Sequence, residues 1–445
     1  MSTSISRRAF LKQLGLASAG IALAGCAAPG PTSTSDAGGD GMASDENVML
    51  TMWGGAFLMN ANQNIFDNSD FAKEHPNYTL EATPASGNLY GQKMKVAIAA
   101  GDPEPDIMLV HYRFVKDFLL PDISVDLSDR VDEGGFSPDI FKSVKVDGKI
   151  YGIPYEVATF VNYYREDVLT DLGMELPSNR TEYFEVGNTI KEQSGQNWTF
   201  VDKATGNTQL YLAMLMMLEG DVFDAETGDV ILDTDAGKGV DAATLLKELS
   251  DSGFTSPLRF DSPEGFEEVK NSETVGNLTP YAWIHRMMDA LVPEDEVFGK
   301  WRIGHAPALL DGGTNAVSHN GAYLAVNKLS PNPEAAWDVA AFFGQSVEGV
   351  QALSDQFVII GAYKPGLEAV KEKSEGWDIF GGQRAQSQMA EVALREDLKV
   401  ITMHPNMAEG QKVIDEALTR MLNGDATPEQ AVMESAGKIR GIDKG

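Results

Sequence analysis

The sequence predicts an α/β protein built as two lobes, on three observations. Short apolar runs alternate with amphipathic stretches along most of the chain, the pattern of strands interleaved with helices. Beyond an N-terminal leader about 400 residues remain, more than one hydrophobic core ordinarily organises. No tandem repeat with a period of roughly 20–50 residues is present, which argues against a solenoid or propeller.

The leader comes first. Ser6-Arg7-Arg8-Ala9-Phe10-Leu11-Lys12 fits the twin-arginine export pattern. The apolar run from Leu14 to Leu23 is rich in Gly, Ala and Ser and too short to span a membrane, so it reads as the h-region of a signal peptide. It ends in Leu23-Ala24-Gly25-Cys26, which resembles the lipobox of lipoproteins, where the cysteine is acylated and becomes the first mature residue. Cys26 is the sole cysteine, so no internal disulfide forms and stability rests on the core. Residues 27–46 are mostly Pro, Gly, Ser, Thr, Ala and Asp. Such a segment cannot bury enough apolar surface to fold. It reads as a leash whose ends lie about 25 Å apart, leaving 47–445 as the folded body.

Within that body, Val48-Met49-Leu50-Thr51-Met52-Trp53 reads as a first strand broken by Gly54-Gly55. Residues 88–100 read as a helix with Leu89, Met94, Ala97 and Ile98 on one face and Gly101 as its stop. Residues 106–110 are a buried-type strand. Asn332-Pro333-Glu334 opens a helix by an N-cap, a proline at the first position and an acid, and Gly344 is its expected end. Thr427-Pro428-Glu429-Gln430 has the spacing of a capping box before a last helix.

Charge narrows the function classes. Lys plus Arg number 35 against 66 Asp plus Glu, a net of −31. The leader holds Arg7, Arg8 and Lys12 and no acid, so the remainder is more negative by three, at −34. That surface repels nucleic acid, which needs a positive footprint. It also disfavours anionic solutes unless a cleft is locally positive. A halophilic source and a merely acidic exported protein both fit.

Four segments carry a resemblance. Residues 95–110, KVAIAAGDPEPDIMLV, have a helix ending in Ala-Ala-Gly, a proline turn, Pro-Asp and an apolar strand. Residues 147–154, DGKIYGIP, precede 160–169, FVNYYREDVL, with Gly173, Pro177 and Thr181 beyond. Residues 311–328, DGGTNAVSHNGAYLAVNK, lead into a helix reading EAAW-x-x-A-x-F-F. Residues 427–439 form a TPEEAL-like closing helix. In this order the segments resemble the extracellular solute-binding proteins of the maltose-binding type, from about Val48 to Ile439. Arg165 stands where the family usually has Asn, and Ala322 where it has a second Gly. The resemblance implies a type II periplasmic-binding-protein-like fold: two α/β lobes, a hinge of several crossing segments and a ligand cleft between them. It implies lobe 1 at about 47–154 plus 303–343 and lobe 2 at about 155–302 plus 344–445. It further implies a monomer, lipid-anchored through Cys26 on the outer face of the membrane, serving ABC permease subunits with a sugar or oligosaccharide as solute.

A sugar pocket needs aromatic faces for the C–H faces of the rings and planar polar groups for the hydroxyls. In α/β sheets these sit on loops after strands. Trp53 and Gly54 end the first strand; the tryptophan either stacks on a solute or packs beneath its loop. His111, Tyr112 and Arg113 follow the second predicted strand, Arg113 being equally readable as a solvated charge. Tyr155, Glu156 and Thr159 follow Pro154, where the chain should change lobes. Tyr281 and Trp283 offer a stacking ring from lobe 2. Asn320, Gly321 and Tyr323 form another loop, Tyr323 either stacking or starting a buried strand. Tyr363, and then His404 and Asn406, are the outlying candidates.

Rival classes remain open at this level. No Gly-x-Ser-x-Gly, His-Glu-x-x-His or phosphate loop is present, and abundant carboxylates carry no information about glycosidase chemistry, so no catalytic residues, metal ligands or cofactor are expected. Tyr163-Tyr164 superficially resembles a ferric-binding pair, although strand alternation would turn them apart. A polyamine, peptide, glycerol-phosphate or inorganic anion on the same fold, and a chemosensory or adhesive role, stay as alternatives.

Overall fold

In a computed structural model of the chain, residues 47–85, 89–280, 291–318, 321–357 and 359–442 are described. The expected leader, lipidation site and leash, and the candidates Tyr281, Trp283 and Asn320, lie outside them.

Two sheets organise the body. The first contains β1 (Val48–Gly55), β2 (Tyr78–Ala85), β3 (Ile107–His111), β4 (Ile153–Pro154) and β8 (Ala322–Val326), in the order β2-β1-β3-β8-β4. The second contains β5 (Phe160–Arg165), β6 (Gly276–Pro280) and β7 (Trp301–His305), with β5 central and antiparallel to both neighbours. In the first sheet β1 runs parallel to β2 and β3, while β8 runs antiparallel to β3 and β4. Strands covered on both faces need continuous apolar sequence, and all five residues of β8 and the first four of β3 are buried.

The helices that complete this framework are α1 (Ala56–Asn68), α2 (Leu89–Ala100), α3 (Thr208–Met217), α4 (Gly239–Asp251), α5 (Pro333–Gln345), α6 (Val347–Phe357), α7 (Lys364–Lys373), α8 (Met407–Leu422) and α9 (Pro428–Arg440). Helices α1 and α2 pack on β1 and β2, and α5 packs on β8 and β4. Helices α3, α4, α8 and α9 pack together, with α3 against β6. Gly101 ends α2 at φ +72°, the left-handed conformation that favours glycine. Helix α9 opens with the expected box: the Gln430 amide donates to the Thr427 hydroxyl at 3.1 Å, and the Thr427 amide donates to Gln430 Oε1 at 2.9 Å. Thr427→Ala is expected to cost about 1 kcal/mol in urea unfolding.

Three expectations are corrected. Asn332 precedes α5 without a side-chain cap; its amide donates instead to Ser330 Oγ at 3.0 Å. Helix α5 runs through Gly344 to Gln345, because the missing Cβ lets Ile153 Cγ2 come within 2.7 Å of where it would sit. The lobe boundaries also move. The expected return at 303 falls inside β7, which pairs along its whole length with β5. The expected departure at 344 is too early, because α6 packs on α1 before the chain leaves the first lobe.

The chain thus passes between the sheets after β4, after β7 and after α6. The three passages hydrogen-bond to one another. Tyr155 and Glu156 donate their amides to the Ala322 carbonyl, Val157 donates to that of Ile360, and Thr159 bridges Ser318. Gly321 belongs to this junction: a Cβ there would stand 1.7 Å from the Glu156 carbonyl oxygen. Gly321→Ala must therefore push the crossing segments apart, and a loss of about 2 kcal/mol is expected in the same unfolding assay.

Candidate ligand-binding cleft

The cleft is assembled where strands end and helices begin. In the first lobe β1 stops at Gly55 and α1 starts at once, which sets Phe57 on the first turn, 43% exposed. Strand β3 ends at His111, and a single 3-10 turn, Tyr112–Phe114, follows. Together with Tyr90 of α2 these segments line an open cavity of about 300 Å³, walled by Gly55, Phe57, Tyr90, Leu109, His111 and Arg113.

A second cavity, of about 340 Å³, lies against the other lobe and also takes Arg113 into its wall. Its aromatic lining is Phe200 and Phe260, packed edge to face with centroids 5.3 Å apart. Asn207 precedes α3 in the left-handed conformation at φ 49°, so the first turn of α3 opens onto the cavity. The turn before it is held by Asp202, whose Oδ1 accepts the amides of Ala204 and Thr205 at 2.8 and 3.2 Å. Arg259 grips Asp261 with both Nε and Nη2. Asn277 of β6 and Gln411 and Asp415 of α8 complete the polar wall.

Arg113 is common to both cavities. Its Nε donates to the Tyr112 hydroxyl at 3.3 Å. Burial works against its charge, but Tyr112 and Asp415 outweigh that and hold its pKa above the usual arginine value. Burial is also the main cause that raises the Asp415 carboxyl pKa; a hydrogen bond from Thr208 and the charge of Arg113 oppose it. Each cavity thus pairs aromatic surface with planar hydrogen-bonding groups, the chemistry that a polyhydroxylated ring requires.

Helix α8 is placed by an anchor on the loop before it. Asp221 accepts the Thr402 amide at 3.0 Å and its hydroxyl at 2.7 Å. Burial pushes the Asp221 carboxyl up from 3.8 to about 6, the hydrogen bonds from Thr402 opposing it. The native state therefore holds its proton more tightly than the unfolded chain does. That contribution to stability is complete below pH 4 and is lost as pH rises through 6, an effect on the order of 3 kcal/mol. Between pH 4 and 7 the wild type should lose about that much more unfolding free energy than Asp221→Asn, which does not titrate.

The structure sorts the candidates from the sequence. His111 and Arg113 line cavities. Trp53 does not: it is 8% exposed, and Lys93 Nζ covers its ring at 3.5 Å. Gly54 is a packing glycine, since a Cβ would meet Met59 Cε at 2.9 Å. Tyr112 is 2% exposed and accepts a hydrogen bond from Gln411 Nε2 at 2.8 Å, so it offers no stacking face. Tyr155 is fully buried and donates to Asn62 Oδ1 at 2.6 Å. Glu156, Thr159 and Gly321 form the crossing junction. Tyr323 takes its alternative reading, buried in β8 opposite Val110 and Pro154. Tyr363 stands before α7 and donates to Asp132 Oδ2 at 3.2 Å, away from both cavities. His404 stacks on Phe223 with centroids 4.0 Å apart, and Asn406 Nδ2 donates to the Ile442 carbonyl. Tyr163 is buried and Tyr164 half-buried, and as neighbours on β5 they point to opposite faces of the sheet.

Phe57, Phe200, Asn207, Asn277, Gln411 and Asp415 escaped the sequence reading. Phe57 had a usable signal, an aromatic two residues past a strand that ends in glycines. Phe200 ends a strand of only two residues, Thr199–Phe200, and Gln411 lies within an ordinary amphipathic helix.

Two α/β lobes, three crossings and a cavity lined from both lobes define a binding protein of the two-lobed periplasmic class. Residues 56–346 match the family described as bacterial extracellular solute-binding protein, and the chain belongs to that family. An arabinooligosaccharide-binding protein from Bacillus subtilis is 24% identical over 372 residues, covering 79% of this chain and 83% of its own. A lactose-binding protein from Rhizobium radiobacter is 22% identical over 334 residues, covering 72% and 76%. The sugar-binding protein MalE of Xanthomonas citri has the same fold, with a TM-score of 0.75 at 16% identity over 89% of this chain and 97% of that one.

Proposed function

We propose that this chain captures a sugar or oligosaccharide outside the cytoplasm and hands it to the permease of an ABC importer. The observation that carries the reading is the pair of cavities joined at Arg113, each combining aromatic surface with planar polar side chains. Membership of a solute-binding family and relatives that bind oligosaccharides support it. In this reading Phe57 stacks on one ring of the solute and Phe200 lies beside another, while Arg113, Asn277 and Gln411 meet hydroxyls between them. Binding draws the lobes together at the three crossings, and no chemical step is involved.

The address follows from the leader. Twin-arginine export delivers the folded chain, Cys26 is acylated, and the leash holds a monomeric body at the outer face of the membrane. Radiolabelled palmitate should enter the wild-type protein and not Cys26→Ser.

The test of the binding function is thermal unfolding of the full chain carrying Cys26→Ser, against mono- and oligosaccharides, polyamines, glycerol phosphate and ferric citrate. A solute at about 100 times its Kd adds roughly 2.7 kcal/mol, a readable rise in Tm. A rise with one sugar class is expected. Phe57→Ala should weaken that solute about 10-fold and leave the ligand-free Tm nearly unchanged, because the ring is half in solvent. A flat sugar panel beside a response to polyamine or phosphate ester would sink the sugar assignment.

A further inference from the structure

One contact between the lobes has a chemistry that the solute site alone does not account for. Tyr112 comes from the turn after β3 in the first lobe; Gln411 comes from α8 in the second. Gln411 Nε2 donates to the Tyr112 hydroxyl at 2.8 Å across 299 residues of chain, and the two side chains' residues are only 2% and 5% exposed. One turn further along α8 is Asp415, on the same helix face. Its charge acts on Arg113, the next residue after Tyr112. Two adjacent residues of one lobe therefore engage two positions of a single helix face in the other.

Gln411 itself is only half satisfied. Its Nε2 is used by Tyr112, while its buried Oε1 has no protein partner, and the residue lines the second cavity. A buried acceptor without a donor is a standing cost. A solute hydroxyl in that cavity would remove it, and in doing so would fix the amide plane in the orientation that presents Nε2 to Tyr112.

We propose that Tyr112 and Gln411 are positioning residues that latch the lobes shut, with Gln411 as the point where solute and latch are coupled. The proposal rests on the reading of the cleft as a solute site, and adds which groups hold it closed. Solute binding strengthens the latch, and the latch tightens solute binding by the same factor, since coupling between two equilibria is reciprocal. Arg113 and Asp415, one residue and one helical turn away, are drawn to their places around the solute by the same contact.

The test uses the full chain with Cys26→Ser and spin labels at Val96→Cys and Met433→Cys. These are exposed apolar positions, 71% and 48% accessible, on α2 of the first lobe and α9 of the second. Tyr112→Phe removes only the hydroxyl, and Gln411→Met keeps the volume of its partner. Each single variant should move label pairs from the short to the long distance population by about 5-fold, the worth of one buried hydrogen bond. The double variant should move it no further than either single one. With the solute that stabilises the wild type, the dissociation rate should rise by a similar factor in Tyr112→Phe while the association rate holds, and should rise further in Gln411→Met, which also loses the solute contact at Oε1. Unchanged distance populations in Tyr112→Phe and Gln411→Met, or shifts that simply add in the double variant, would overturn the latch. If no sugar binds the wild type, the sugar reading fails by itself and the distance populations decide the latch alone.

Discussion

Replacing Arg113 by alanine is expected to weaken solute binding about 100-fold while the protein stays folded. Arg113 is the one side chain that lines both cavities among the described residues, so its loss removes contacts from both halves of the site at once. A hydrogen bond from a charged donor is worth roughly 1.5–3 kcal/mol, which alone corresponds to about 10- to 150-fold in affinity. Truncation also leaves the half-buried Asp415 without the cation that offsets its desolvation. Arg113→Lys should recover only part of the loss, because an ammonium cannot keep the planar fork that reaches Tyr112 and the solute together. Calorimetric titration of the three proteins with the same solute reads the effect. Equal affinities for wild type and Arg113→Ala would show that the two cavities are not one site.

The largest loss of stability is expected at a residue with no place in the cleft. Asp106 is buried at the start of β3. Its Oδ2 accepts the amide and the hydroxyl of Thr51 in β1 at 2.8 and 2.9 Å, and its Oδ1 accepts the hydroxyl of Ser330 beyond β8 at 2.5 Å. One carboxylate thus ties together strands that enter the first sheet from widely separated parts of the sequence. Asp106→Ala strands three buried donors and should cost about 4 kcal/mol in urea unfolding. Asp106→Asn keeps one acceptor oxygen and should cost about half of that. Such a change consumes a large share of the stability of an ordinary domain, so reduced yield is expected with Asp106→Ala.

Asp106 also shows what was legible in the sequence. The Pro-Asp pair before an apolar strand marked the element and its family, and β1, β3, α2 and the capping box of α9 lie within a residue or two of where apolar periodicity and capping chemistry put them. Local pattern suffices there because each element is specified by its own residues. The lobe boundaries were harder. They depend on which sheet a strand joins, and neither β7 nor α6 advertises its partner in its own sequence.

The site was legible in kind and largely not in detail. Aromatic residues after strands were the signal followed, and burial overrides it: Trp53, Tyr112, Tyr155 and Tyr323 spend their rings on the core or on a buried partner. Several of the side chains that do line the cavities reach them from helix starts and a helix face, as Phe57, Asn207, Gln411 and Asp415 do. Nothing in a one-dimensional pattern distinguishes a helix face turned towards a cleft from one turned towards solvent. His111 and Arg113 were the exceptions, at and just past a predicted strand end and placed where that strand delivers them.

Both cavities are proposed to hold one polyhydroxylated solute. The most direct measurement is a crystal structure of the full chain with Cys26→Ser, grown with whichever oligosaccharide raises its Tm most. One saccharide spanning both cavities is expected, with a ring against Phe57, hydroxyls on Arg113 and Gln411 Oε1, and the Tyr112–Gln411 hydrogen bond intact. A solute confined to one cavity with Arg113 turned away, or bound elsewhere on the protein, would contradict it.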